Sequence, residues 1–503
     1  MSPELIDPDV KARRPRRAAK PAPTPRQSVN RLELIDPAPP LIAALPAILN
    51  DSIKDAPIAV MTRIALDWII QGTPFDQLFE QAAEDQYTRE FTLEHLVLVM
   101  LDVVCGHHPS TRSAFRDRQF QLIASLSAFY GKLNRMELAV TEDVVRQTAR
   151  RCRELITAAG GLLPEPIPGY AARILDGNVL TGTDHRLIPT RTTWSACLPG
   201  KSLAIYEPVS GLINDLVLEE NAHTQERALL ESVVVQAGEL WIADRNFCVR
   251  TFLFRIQRSG AFFLVRRHES NLPFEPVGPL KSKGRCPTGK VFEQMILVDD
   301  PQAEGVRHRL RRIVLELDEP TRDGETEIVL VTNLPEEVSA IDCCAAYRGR
   351  WRIEGHFQTL TDLLHCEIPS LGYPRAALFG FGMSVAAGNA LAVLKGSLRA
   401  EHGQEMAGEV SDHAVVSQVA RIYPGMMKAV APRRWPDLSD RPAAEVAALL
   451  NELAVRVPVE WMLRRRRGPK KPQPERRTGR RNHHLATKKL LGQAKGVRPP
   501  KAK

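Results

Sequence analysis

The chain has 503 residues, 44% hydrophobic and 25% charged, which excludes a peptide hormone, a disulfide-stapled toxin and a disordered chain. At about 100–200 residues per domain it has length for two to four domains. Lys and Arg number 68 against 59 Asp and Glu, a net charge of +9, and this charge is unevenly spread: Arg464 to Lys503 carries 16 basic residues and one acid, leaving the other 463 residues at −6. A near-neutral body with a basic tail points to a polyanion partner, most simply nucleic acid, although a solvated tail accounts for the charge equally well.

Residues 1–36 are rich in Pro, Arg and Lys (Arg13-Arg14-Pro15-Arg16-Arg17) and read as a flexible basic arm, because they hold too little apolar surface to offset the entropy of ordering. Over 37–165 the apolar residues fall at helical spacing, as in Phe91, Leu93, Leu96, Leu98, Val99 and Leu101, which predicts a helical N-terminal domain. Cys105, His107 and His108 look like a fragment of a metal site. No second Cys/His pair lies at zinc spacing, so a buried thiol beside polar histidines is the reading. The eight cysteines include no C-x-x-C pair, and the N-terminus has no apolar export segment, so the chain is expected in the cytoplasm.

From 166 to 266 short apolar runs take over: Ala172 to Asp176, Ser202 to Tyr206, Leu212 to Leu218, Leu240 to Asp244 and Ala261 to Val265. Helices are predicted at Gln225 to Gln236 and about Phe247 to Gln257, so the order predicts a mixed α/β sheet with a parallel pairing wherever a helix is the crossover. Residues 267–335 read as an all-β insertion, with strands at Val291 to Val298, Leu310 to Leu317 and Glu327 to Thr332. A helix then runs from about Ser339 to His365. The charge-free stretch Ala376 to Leu394 approaches membrane-spanning length, but it carries Ser384, Asn389 and three glycines, so within 336–400 it is read as a buried helix of the sheet domain, with no membrane partner. Residues 401–461 are helical, interrupted by Pro424, Pro432 and Pro436, and 462–503 are a basic, disordered tail.

Asp176 is predicted to end the first strand of the mixed sheet and Asp244 the fourth. Strand ends are where such sheets hold ligands, and two carboxylates there suit a hard cation, Mg2+ or Mn2+. Taken singly, each Asp is better explained as the start of a turn after its strand. In the following helix Tyr347, Arg350, Glu354 and Thr361 share one face at about 100° per residue, so Glu354 stands as a third acid with an Arg one turn before it. Asp, Asp and Glu together suit two-metal phosphodiester chemistry. No G-x-S-x-G, phosphate-binding G-x-x-x-x-G-K-[ST] loop or Ser-His-Asp set competes, since His185, His223 and His356 are scattered.

The segments Leu175-Asp176-Gly177-Asn178, Leu240 to Phe247 and Tyr347-Arg348-Gly349-Arg350-Trp351-Arg352-Ile353-Glu354 resemble the three signature blocks of bacterial insertion-sequence transposases. The group is the DDE type with a Y-x2-R-x3-E-x6-K signature, the insertion-sequence-four family. The resemblance covers about residues 40–400. It implies a ribonuclease H-like α/β catalytic core with a β-rich insertion, preceded by a helical DNA-binding domain, and a cut-and-paste reaction on element ends and target DNA. It assigns Asp176, Asp244 and Glu354 as catalytic metal ligands for Mg2+, with Mn2+ as substitute. Tyr347, Arg350, Arg245 and the residue at 361 are the implied DNA contacts. Where the family has Lys, this chain has Thr361, which removes one cationic contact. Double-stranded DNA, as terminal inverted repeats and target, is the implied partner, with a homodimer in the synaptic complex. The basic cluster Arg112, Arg116, Arg118 or the helix Val144 to Arg153 is a candidate reading surface, a solvated helix face accounting for either equally well, and Trp194 and Trp351 could stack on an unpaired base, though core packing is the better reading of each. The alternative reading is a catalytically weakened DNA-binding regulator derived from such an enzyme; a structure-specific nuclease is a third.

Overall fold

The structure, a computed structural model, describes residues 45–84, 91–119, 124–321, 324–464 and 485–496. The arm expected over 1–36 and most of the basic tail lie outside them. The N-terminal region is helical: α1 (Asn50–Asp55), α2 (Pro57–Gln71), α3 (Phe75–Ala82), α4 (Leu93–Val104), α5 (Thr111–Arg118), α6 (Leu126–Leu133) and α7 (Leu138–Ala158). Local chemistry sets several starts. Thr92 and His95 exchange side-chain and backbone hydrogen bonds in a capping box at α4, Ser110 and Ser125 cap α5 and α6, and Pro57 opens α2 where its missing N–H costs nothing.

The sheet strands are β1 (Ala171–Val179), β2 (Cys197–Leu198), β3 (Lys201–Glu207), β4 (Leu212–Glu219), β5 (Glu239–Ala243), β6 (Phe262–Arg266), β7 (Glu275–Cys286), β8 (Gly289–Asp299), β9 (Arg307–Leu317) and β10 (Glu327–Thr332). All but β2 form one nine-stranded mixed sheet, ordered β4-β3-β1-β5-β6-β10-β9-β8-β7. β1, β5 and β6 are parallel, and the pairings toward both edges are antiparallel. This is the mixed α/β, ribonuclease H-like arrangement that the sequence implies.

Strand residues alternate between two cores, as the two-residue period of a pleated strand requires. Ala172, Ile174, Ala204, Leu240, Ile242, Leu264 and Leu330 face the side covered by α4, α7 and the later helices. Leu175, Leu203, Trp241, Phe263, Val265 and Val331 face the other side, under α8 (Arg250–Arg258), whose Phe252, Leu253, Phe254 and Ile256 are buried there. Each fully buried side chain of this size contributes about 1.5–3 kcal/mol.

After the sheet come α9 (Ala340–Arg348), α10 (Trp351–Leu363), α11 (Pro374–His402), α12 (Gln404–Glu409), α13 (Asp412–Ala429) and α14 (Ala443–Ala454). The apolar window of α11 is entirely buried. Its small residues allow close neighbours: a Cβ on Gly161, just past α7, would stand 2.4 Å from the carbonyl oxygen of Gly396. Asn389, fully buried in α11, accepts from the Ile213 N–H at 2.9 Å and donates to the Ile213 carbonyl at 2.8 Å, so its amide extends the hydrogen bonding of β4. A third core joins α1, α2, α13, α14 and the C-terminal half of α11.

Several expectations change. Asp176 lies inside β1, which runs on to Val179, because the antiparallel pairing with β3 continues to Val179 opposite Lys201. The helix expected at 225–236 is a 3-10 turn, Glu226–Ser232, with Leu229 and Leu230 buried. The β-rich insertion is no separate sheet: β10 pairs with β6 and carries β7–β9 onto the same sheet. The helix expected from 339 to 365 is broken at Gly349, and Pro424 does not interrupt α13. Within the tail, β11 (Leu485–Ala486) pairs with β2, and α15 (Thr487–Gly496) follows. Leu485 and Ala486 thus form a small two-stranded sheet with β2, apart from the nine-stranded one, that the charge count gives no hint of.

Candidate active site

Strand register builds the first half of the site. Leu175 of β1 is paired with Ala243 of the parallel β5, so Asp176 and Asp244 are the next residues along two strands about 4.8 Å apart. Asp176 accepts a hydrogen bond from the Gly177 N–H at 3.0 Å. Gly177 points to the opposite sheet face, where a Cβ would stand 2.7 Å from the carboxyl carbon of Glu226 and displace that side chain. Asp244 follows β5 directly and caps the 3-10 turn Arg245–Phe247.

The second half comes from the break between α9 and α10. Gly349 ends α9, and Arg350, at the N-cap of α10, is turned inward with its side chain only 8% exposed. Its Nη1 lies 3.4 Å from Asp176 Oδ2 and its Nη2 donates to Glu354 Oε1 at 2.9 Å, while its Nε has no partner. Tyr347, the last buried residue of α9, donates its hydroxyl to Asp244 Oδ1 at 3.4 Å. These five side chains thus link both strands to α9 and α10.

Burial, above all, pushes the Asp176 carboxyl up to about 6; Arg350 and the Gly177 N–H oppose the rise, and the nearby Glu354 and Asp244 add to it. Burial and then Asp244 push the Tyr347 phenol up. Burial works against the charged form of Arg350, but Tyr347, Asp176, Asp244 and Glu354 outweigh it and raise its pKa. The site is therefore a crowd of carboxylates held together by one guanidinium. Three carboxylates are a donor set of hard oxygens that suits Mg2+ or Mn2+, and a cation there would offset both the burial of Asp176 and the lesser repulsion from Glu354 and Asp244. Among the described residues no three His, Cys, Asp or Glu side chains already converge into a cage. Arg350 supplies the countercharge between Asp176 and Glu354.

The structure does not bring every expected residue to this cluster. Thr361 is exposed two turns along α10, and its hydroxyl donates to the Phe357 carbonyl at 3.0 Å. Arg245 is paired with Glu325 at 3.1 Å, and Glu325 also takes Arg266 at 2.5 Å. Arg266 and Glu325 at this rim were not singled out from the sequence, since only the register of β6 and β10 brings them near. Of the basic helical surfaces, Arg112 and Arg116 are exposed, but Arg118 is bound to Asp102 at 2.5 Å. On α7, Arg146 is held by Glu142, Asp143 and Asp215, and Arg153 by Glu207. Cys105 is pushed up to about 12 by burial, and His107 stacks on Tyr423 at 4.8 Å and lies 3.6 Å from Asp102. Trp194 is fully exposed and Trp351 is 62% exposed.

Residues 168–377 match the family model of the transposase DDE domain, and this span holds Asp176, Asp244, Tyr347, Arg350 and Glu354. The similarity to a transposase DDE domain thus spans the whole candidate site. No curated protein sequence matches the chain. A solved structure, the cryo-EM structure of a piggyBac transposase synaptic complex with hairpin DNA, is similar at 12% identity and a TM-score of 0.33, over 75% of this chain and 73% of that one.

Proposed function

We propose that the protein is a DNA transposase of the insertion-sequence-four type, cleaving phosphodiester bonds at the ends of its element and joining them to target DNA. The observation that carries this reading is the juxtaposition of Asp176 and Asp244 by strand register, with Glu354 tied to Asp176 through Arg350, inside the span that matches the DDE domain. Asp176, Asp244 and Glu354 are the proposed holders of Mg2+, or of Mn2+ in its place. Such a cation supplies Lewis-acid stabilisation of charge on the reacting phosphate and lowers the pKa of a nucleophilic hydroxyl.

The chain's own residues do the rest. Arg350, a planar donor with a free Nε, is suited to grip a phosphate oxygen bidentately once it exchanges a carboxylate for DNA. Tyr347 holds Asp244 in place through its hydroxyl and stays protonated at neutral pH. Arg245 and Arg266, bridged by Glu325, form a cationic rim beside Asp244. Double-stranded terminal repeats and target DNA are the substrates in this reading, the helical N-terminal region shares in recognising them, a homodimer brings two ends together, and the setting is the cytoplasmic nucleoid.

A second reading, a DNA-binding regulator with weakened catalysis, is favoured by Thr361, whose hydroxyl is turned to its own helix and supplies no charge. The deciding experiment is cleavage of labelled DNA bearing the gene's own flanking repeats, with Mg2+ or EDTA, beside Glu354→Ala. Cuts at the repeat boundaries that need both metal and Glu354 are expected. Binding without cutting, with Mn2+ and paired ends also tried, selects the regulator.

A further inference from the structure

Helix α10 has a second working face. Arg350 and Glu354 point to the acids, while Trp351, Arg352, Gly355, His356 and Thr359 face the other way and line a cleft of about 730 Å3. Its far walls are the β3–β4 turn, the C-terminal half of α11, and α12 with the start of α13. That volume lies within the roughly 300–1,000 Å3 of ligand-binding clefts.

The charge in this cleft is unbalanced. Arg348, Arg352, Lys395, Arg399 and Arg464 line it against one acid, Asp412. Asp412 is already taken by Lys395 at 2.6 Å and by the Thr359 hydroxyl at 3.1 Å. Arg348, Arg352 and Arg464 are exposed and make no ion pair among the described residues. Deeper in, Arg399 spends its Nε on the Gly161 carbonyl at 2.7 Å, and its Nη2 is buried with no partner. His356 Nε2 is likewise buried and unpartnered, and burial holds the ring at about 4, neutral at physiological pH. Buried polar groups without partners are uncommon in folded proteins, and two of them on facing walls of one cation-lined cleft call for an anionic ligand with several oxygens.

We propose that this cleft binds the sugar-phosphate backbone of a DNA strand, as a second phosphate track separate from the acids. The proposal rests on the transposase reading for the identity of the polyanion. Gly349 and Trp351 line the cleft while Arg350 between them reaches Asp176 and Glu354, so the break between α9 and α10 joins the track to the scissile site. A strand held at both is fixed in two directions.

The test uses the full chain with Arg352→Ala/Arg464→Ala, whose side chains make no hydrogen bond or ion pair among the described residues, and Arg433→Ala/Arg434→Ala on the exposed turn Pro432–Arg434 as a charge-matched control. Affinity for a labelled duplex is measured between about 50 and 200 mM salt, where each lost phosphate contact lowers the slope of log K against log salt by about 0.9. The expected result is a slope reduced by about 1–2 in the cleft variant and unchanged in the control. An unchanged slope in the cleft variant, or an equal fall in the control, overturns the proposal while wild-type binding leaves the transposase reading standing. Failure of the wild type to bind duplex at any salt overturns both. Thermal shift with inorganic tripolyphosphate separates the sources: stabilisation of the wild type alone, with the DNA slope unchanged, assigns the cleft to a free phosphate compound and overturns the DNA assignment.

Discussion

Helix α7 and the cleft behind α10 are both rich in arginine, yet they use it in opposite ways. On α7, Arg146 is tied to Glu142, Asp143 and Asp215, Arg153 to Glu207, and Arg151 lies over the Trp68 ring at 3.3 Å from its centroid. These side chains fasten α7 to β3, β4 and α2. In the cleft, Arg348, Arg352 and Arg464 fasten nothing. Charge density read along a chain therefore does not locate a nucleic-acid surface; what matters is how much of that charge is already compensated within the fold. By that measure the helix Val144 to Arg153 is a structural element, and the cleft is the better electrostatic footprint.

The contrast can be broken at several points. The largest effect is expected where carboxylates crowd each other: Asp244→Ala or Glu354→Ala should lower metal-dependent strand cleavage by about a thousand-fold or more, the several kcal/mol a metal site supplies, as read from single-turnover rates. Retained cleavage in either variant removes that residue from the site. Next comes Glu207, whose side chain is 3% exposed and which holds Arg153, Arg173 and the Ser210 hydroxyl. Glu207→Ala leaves the largely buried Arg173 short of a partner and should cost about 3–5 kcal/mol in chemical denaturation. A loss below about 1 kcal/mol would make α7's arginines as uncommitted as those of the cleft.

A smaller effect is expected from pH. The Asp176 pKa is raised to about 6 from 3.8, so the folded state holds this proton more tightly than the unfolded chain does. Stability in EDTA is therefore lost as pH rises from about 4 to about 6 and is level above, by up to about 3 kcal/mol. Asp176→Asn should flatten that limb and be the more stable protein at pH 7; an unaltered pH profile would show that Asp176 is not the group responsible. The smallest change is expected from Arg352→Ala, within about 0.5 kcal/mol of wild type, because its side chain makes no hydrogen bond or ion pair among the described residues.

Much of the fold was legible in the sequence. The runs at Ala172, Ser202, Leu212, Leu240 and Ala261 become β1, β3, β4, β5 and β6 because fully buried strands need uninterrupted apolar stretches. The segment at 225–236 misled, since Leu229 and Leu230 bury well enough in a 3-10 turn. The face shared by Tyr347, Arg350 and Glu354 was read from an unbroken helix, whereas the structure brings these side chains together across the break at Gly349. Arg245 looked free because Glu325, its partner, stands 80 residues away. Nothing local marks the cleft either: Arg352, Arg399 and Arg464 meet only when α10, α11 and the end of the described chain before 465 pack together.

The pairing of β10 with β6 has a further consequence, for the order in which the molecule assembles. Arg266 and Leu330 meet across 64 positions of sequence, with the β7–β9 meander lying in the intervening loop. Pairings so distant along the chain are slow, so β6 spends that interval as an unprotected sheet edge. Excising the meander to shorten the protein would shorten that closure but strip β9 from β10, leaving the edge at Glu327 to Thr332 open to self-association.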